Sequence, residues 1–89
     1  MFLTEEQLKS IEEMSALFFS CEAIADNLEI EYIEFSILID LKQGPAYRAY
    51  RKGRLQTEID LRAAIKMAAM NGSSPAQNLM VQFFKDSQL

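Results

Sequence analysis

The chain has 89 residues, of which 49% are hydrophobic and 25% are charged, a composition that fits one small globular domain and excludes a disordered chain. It contains no histidine and one cysteine, Cys21, which excludes an internal disulfide and makes a zinc site very improbable. Its apolar runs are shorter than the roughly 18 residues of a membrane span, and its first residues lack a secretory signal, so we expect a cytoplasmic protein.

The net charge of −4 conceals an uneven distribution of charge along the chain. Residues 1–43 carry ten acidic and two basic side chains, a net −8, whereas residues 44–89 carry seven basic and three acidic ones, a net +4. Such a chain is an electrostatic dipole. We expect its acidic and basic parts to attract each other, either within one molecule or between neighbouring molecules.

The apolar spacing is helical throughout and predicts an all-α fold of about five helices in a single domain, residues 1–89. The first helix is predicted to begin after Thr4, because "TEEQ" is a capping box in which the threonine hydroxyl and the Gln7 side chain each bond the other's backbone amide. Ser20 is predicted to cap a second helix that ends near Leu28.

Glycine, proline and serine mark the boundaries of the later helices. Gly44 is predicted to end the third helix in a left-handed conformation, and Pro45 to open a long fourth helix. In "NGSSP", Ser74 is predicted to cap the fifth helix, with Pro75 at its first position. These three helices are predicted at about 31–42, 45–70 and 74–86.

The second and third helices have the spacing of a helix-turn-helix, at about residues 20–42. That motif buries a small residue where its two helices cross, together with apolar residues on both sides of the turn. Glu29 occupies the turn position that often holds glycine. If the turn requires a positive φ, a glutamate there costs about 1 kcal/mol. The alternative is two packed helices in a bundle. The predicted buried positions are Ala25 at the crossing, with Leu28, Ile30, Phe35 and Leu38 around it.

Two adjacent phenylalanine pairs lie near the ends of the chain. Phe18 and Phe83 are predicted to pack inward. Neighbouring residues on a helix diverge by about 100°, so one member of each pair must point elsewhere. Exposed phenylalanines at both ends would favour self-association.

Short sequence words after the predicted motif suggest a family. They are Tyr47, Ala49–Tyr50, Gly53–Arg54, Glu58, Leu61, Ala69, Gly72 and the apolar run 79–84. With them, about residues 20–85 resemble the small terminase subunits of tailed bacteriophages, in which a long helix follows a helix-turn-helix. The resemblance implies recognition of DNA for packaging by a homo-oligomer that passes the DNA to a large terminase subunit. The chain is short for that family, so a DNA-binding part, a truncated prophage relative and an unrelated helix-turn-helix protein remain alternatives.

The third helix departs from a typical DNA-reading helix. It carries Glu31, Glu34 and Asp40 against one basic residue, Lys42. Acidic side chains repel phosphates and oppose the counterion release that supplies non-specific affinity. We therefore expect limited base contacts, from Tyr32 and Ser36.

Positive charge is instead concentrated on the fourth helix. Most of its basic side chains fall within an arc of about 100°, which is typical of a phosphate-contacting stripe and equally of a solvated face. Leu55 and Ile59 lie on the same arc, so we expect another helix or a neighbouring subunit to cover them. The candidate phosphate contacts are Arg48, Arg51, Lys52, Arg54, Arg62 and Lys66.

Two classes of function follow from these patterns. The first is a phage-type DNA-binding protein. The second is a helical interaction module that keeps the fold, does not bind DNA, and uses its acidic half to bind a basic partner. Catalytic signatures such as GxSxG, a P-loop or HExxH are absent, so we expect no enzymatic activity, no cofactor and no metal.

Overall fold

A computed structural model describes residues 2–88 and contains, within them, five α-helices and no β-strand. The predicted all-α class with about five helices is thereby confirmed. No helix in this part of the chain combines the length and the apolar content that crossing a membrane requires. The helices are α1 (Glu5–Ala16), α2 (Cys21–Leu28), α3 (Tyr32–Asp40), α4 (Pro45–Met70) and α5 (Ser74–Asp86).

Side-chain caps fix the starts of α1 and α2 as the sequence predicts. The Gln7 amide donates to the Thr4 hydroxyl at 3.1 Å, and the Thr4 amide donates to the Gln7 side-chain oxygen at 2.8 Å. The Ser20 hydroxyl accepts from the Ala23 amide at 3.1 Å. Each bond satisfies a backbone N–H that has no partner inside the helix.

Two predicted helix boundaries are wrong. The third helix ends at Asp40 rather than near Lys42, and Lys42, with φ 54°, is the first left-handed residue after it. Gly44 does have the predicted positive φ, 92°, but it lies beyond the end of the helix. The cap of α5 is Ser73, whose hydroxyl accepts from the Ala76 amide at 3.3 Å, and Ser74 is the first helical residue. Both serines carry the required hydroxyl, and proline is tolerated at either of the first two helical positions, because neither N–H there has a partner within the helix.

The chain groups into two compact units, Met1–Thr57 and Glu58–Leu89, so that α4 contributes residues to both. The boundary falls inside a continuous helix, and the single domain over residues 1–89 stays a prediction.

The first unit has a core formed by α1, α2, α3 and the start of α4. Ala25 and Phe35 are fully buried, as the helix-turn-helix pattern predicts. Leu28, Ile30 and Leu38 pack against this core but are only partly buried. The buried hydrophobic residues of the cluster are Ile11, Ile24, Ala25, Phe35, Ile39 and Ala46.

A glycine allows α4 to approach α1 closely. A Cβ atom at Gly53 would overlap the carbonyl oxygen of Glu12 and the hydroxyl of Ser15. Ser15 is itself fully buried and donates to the Glu12 carbonyl at 3.0 Å. One turn further along α4, the Thr57 hydroxyl donates to the Ala16 carbonyl at the end of α1. The backbone contact therefore requires glycine at this position.

The inward packing predicted for Phe18 is wrong. Helix α1 ends at Ala16, and Phe18 follows in a left-handed conformation with φ 62°. This conformation turns the residue away from the helical face that precedes it, and 52% of Phe18 is exposed. Phe83, in the second unit, is partly buried, and its neighbour Phe84 is exposed.

The second unit contains the end of α4, a tight turn and α5. Gly72 adopts φ 100°, and the Ser73 amide donates to the Ala68 carbonyl at 3.0 Å, which closes the end of α4. The Gln77 side chain donates to the Ala69 carbonyl at 3.0 Å. Ala76 is the buried hydrophobic residue of this unit among those that the structure describes.

Candidate functional site

The turn between α2 and α3 sets the direction in which α3 leaves the motif. Glu29 occupies it in a left-handed conformation, with φ 57° and ψ 41°. The Ile30 amide donates to the Ala25 carbonyl at 3.0 Å and so satisfies the end of α2. Of the two alternatives that the sequence leaves open for this turn, the structure has the positive φ. A glutamate in this conformation costs about 1–2 kcal/mol.

The exposed side of α3 combines apolar and acidic side chains. Ile33, Ile37 and Leu41 follow one another at intervals of four residues and are 70%, 54% and 57% exposed. At about 100° per residue, Glu34 and Asp40 lie on opposite sides of this row, and both are exposed. We call these five residues the α3 face. It is poorly suited to a phosphate backbone, because its polar groups are anionic.

The two predicted base-contacting residues lie beside the α3 face and differ in availability. Tyr32 is 48% exposed, at the first turn of α3. Ser36 is partly buried, and its hydroxyl donates to the Ile33 carbonyl at 3.0 Å. Its proton is therefore used within the helix, which leaves Tyr32 as the more accessible hydrogen-bond donor of the pair.

The first half of α4 presents a basic surface within the first unit. Arg48, Arg51, Lys52 and Leu55 recur at intervals of three and four residues, which places them on one side of the helix. All four are exposed, and Leu55 lies between Arg51 and Lys52 around the helix. We call these four residues the α4 face.

The contacts of the α4 face are weak. The Lys52 ammonium nitrogen lies 3.6 Å from a carboxylate oxygen of Glu12, and most of the lysine side chain remains in solvent. An exposed pair of this kind contributes about 0–1 kcal/mol. The lysine can therefore be released to a stronger anionic partner at little cost.

Arg54 is separated from the α4 face by its helical angle and by its contacts. Its guanidinium donates to the Phe19 carbonyl at 3.2 Å, and its central carbon lies 4.9 Å from the Tyr50 ring centroid and 5.7 Å from that of Phe18. Its Nε is buried and has no hydrogen-bond partner among residues 2–88. These contacts hold the segment between α1 and α2 against α4, so we assign Arg54 a positioning role.

Arg62 and Lys66, the remaining predicted cations, belong to the second unit. The Arg62 guanidinium lies 3.0 Å from the Glu58 carboxylate and 3.9 Å from the Phe83 ring centroid. Such a cation–π contact stabilises by about 0.5–1 kcal/mol at an exposed site. Lys66 is exposed on the same helix.

The packing of the first unit alters the ionisation of Tyr50. Burial raises its pKa above the ordinary value of 10.0, and a hydrogen bond with Cys21 raises the pKa further, while the positive charge of Arg54 lowers it. The neutral phenol is therefore favoured near neutral pH. A neutral ring beneath the Arg54 guanidinium is consistent with a packing role for both residues.

No protein-family model, curated protein or solved structure matches this chain. The resemblance to small terminase subunits therefore depends on the short sequence words alone.

Proposed function

We propose that this chain is a non-enzymatic, cytoplasmic DNA-binding protein that acts in phage DNA packaging, as the small terminase subunits it resembles do. The observation that carries the proposal is the α4 face. Arg48, Arg51 and Lys52 are exposed together on one side of a helix, in the same compact unit as the helix-turn-helix pair. Cations arranged in this way bind phosphates by releasing condensed counterions.

In this proposal α4 contacts the phosphates and α3 contacts the bases. The α4 face supplies phosphate contacts, which provide affinity and position but carry no sequence information. Arg62 and Lys66 add further contacts along α4 in the second unit. Tyr32 supplies limited base contact, since the rest of the exposed side of α3 is apolar or acidic. We therefore expect binding that tolerates different DNA sequences and depends strongly on salt.

A titration of labelled duplex DNA at several salt concentrations tests this proposal. Arg51→Ala and Lys52→Ala should each weaken binding equally on unrelated sequences. Each should also reduce the slope of log K against log salt by about one unit, because one phosphate contact is lost.

Lys9→Ala is the matched control for this titration. It removes one exposed positive charge from α1, outside the α4 face, and should leave the slope unchanged. If the wild-type protein binds no duplex at low salt, the proposal is wrong.

A second candidate function is supported by the α3 face. Three exposed aliphatic side chains flanked by carboxylates are typical of a surface that binds protein. In this alternative the chain is a helical interaction module that does not bind DNA, and the α3 face carries its activity. Substitutions on that face, such as Ile37→Asp, would then abolish partner binding, while DNA would have no effect.

A further inference from the structure

We propose that the α3 face of one copy of this chain docks on the α4 face of a second copy, in a head-to-tail contact. The contact does not require DNA, so the inference goes beyond the proposed function and can hold without it. The partner of each surface is then a second copy of this chain.

The exposed apolar residues of the two faces favour a contact that removes them from water. Ile33, Ile37 and Leu41 form one continuous row on the α3 face, and each exposes more than half of its surface in the single chain. Scattered exposed aliphatic residues are normal, but a contiguous row bordered by charge is typical of a binding surface. On the α4 face, Leu55 is 41% exposed between two cations. A row of aliphatic side chains packed against Leu55 would remove both surfaces from water.

The charges select the partner. Glu34 and Asp40 border the apolar row of α3 on its two sides, and Arg51 and Lys52 border Leu55 on its two sides. Two α3 faces brought together would oppose carboxylates with carboxylates, and two α4 faces would oppose cations with cations. When an α3 face meets an α4 face, the apolar side chains of the two faces pack together, and the carboxylates that border one face lie opposite the cations that border the other. Electrostatic complementarity therefore favours a contact between two different surfaces.

The symmetry of the assembly follows from this choice. A contact between two different surfaces is heterologous, so an open assembly keeps one unused α3 face at one end and one unused α4 face at the other until it closes. It gives a ring if the rotation between copies closes, and an open filament otherwise. The contact also covers Arg48, Arg51 and Lys52. If the proposed function holds, self-association and DNA therefore compete for the same cations.

Two complementary variants test the contact in the absence of DNA. Ile37→Asp damages the α3 face alone, and Leu55→Asp damages the α4 face alone. In sedimentation velocity at low salt and about 50 µM protein, the wild type should associate and each variant should be monomeric. An equimolar mixture should form a dimer and nothing larger, because only the intact α3 face of Leu55→Asp can meet the intact α4 face of Ile37→Asp.

Leu61→Asp is the matched control for this experiment. Leu61 is an exposed leucine on a different side of α4, and its replacement should leave association unchanged. Circular dichroism should show wild-type helicity for all three variants. A monomeric wild type, or a dimer formed by either variant alone, would overturn the proposal.

Charge reversal provides a second test, which does not depend on aspartate at apolar positions. E34K/D40K makes both faces basic, and R51E/K52E makes both faces acidic, so each variant alone should lose association. Their mixture should associate, because basic and acidic faces meet at every contact. Failure of the mixture to associate would contradict the proposal. A protein that assembles in this way but binds no DNA would refute the proposed function and leave this inference standing.

Discussion

The two compact units differ in how they treat their apolar residues. The first unit encloses six hydrophobic residues from four helices, and Phe35 among them is fully buried. In the second unit, Ala76 is the buried hydrophobic residue among those described, while Leu61, Val81 and Phe84 are more than half exposed. The free energy of folding should therefore come mainly from the first unit, since stabilisation scales with the apolar area removed from water.

The largest expected difference in stability is between the replacement of a buried phenylalanine and that of an exposed one. Phe35→Ala should reduce the free energy of unfolding by about 3–5 kcal/mol, because it leaves a cavity in the hydrophobic core. Phe84→Ala, in the second unit, should change it by less than about 0.5 kcal/mol. Urea unfolding followed by circular dichroism measures both. Equal losses would mean that the second unit carries as much of the stability as the first.

A smaller change in stability is expected from substitutions in the two halves of α4. Gly53→Ala improves helix propensity by about 1 kcal/mol, but its methyl group overlaps the backbone of α1. We expect a net loss of about 1–2 kcal/mol. Ala63→Gly, at an exposed position in the second unit, should cost about 1 kcal/mol through propensity alone. Thermal unfolding of the two variants measures both changes in stability. A Gly53→Ala variant more stable than the wild type would show that α1 and α4 do not touch there.

The sequence predicts the helices well, because their signals are local. The capping box at Thr4, the cap at Ser20 and the proline that opens α4 each depend on residues within one helical turn, and the structure has all three. The burial of Ala25 and Phe35 follows from the spacing of the motif. Where two local signals compete, as for Ser73 and Ser74, the sequence alone does not decide between them.

The sequence predicts the exposed surfaces less well, because they depend on tertiary packing. Apolar residues surround α3 on almost every side, so the pattern does not distinguish the buried Ile39 from the exposed Ile37. Arg54 is positively charged like the candidate phosphate contacts. Its hydrogen bond to the Phe19 carbonyl, 35 residues away in the chain, indicates that it instead holds the segment between α1 and α2 in place. Its helical angle, which falls about 60° outside the arc shared by the other candidate cations of α4, is the signal that could have separated it.

The smallest expected effect contrasts the turns of the two units. Glu29 and Gly72 both have positive φ, which strains a residue with a side chain and leaves glycine unstrained. Glu29→Gly should therefore stabilise the first unit by about 0.5–1 kcal/mol. Gly72→Ala should destabilise the second by about 1 kcal/mol, since its surroundings are open and only backbone strain acts. The two changes in unfolding midpoint should have opposite signs. The same sign for both would mean that one turn does not hold this conformation in solution.

The salt dependence of DNA binding tests the central claim most directly. The variant with Arg48, Arg51 and Lys52 all replaced by alanine should be compared with the wild type on one labelled duplex. If the α4 face contacts phosphates, the slope of log K against log salt should fall by about three units and affinity at low salt should drop sharply. An unchanged slope, in a variant with wild-type helicity, would contradict the assignment of DNA binding to the α4 face.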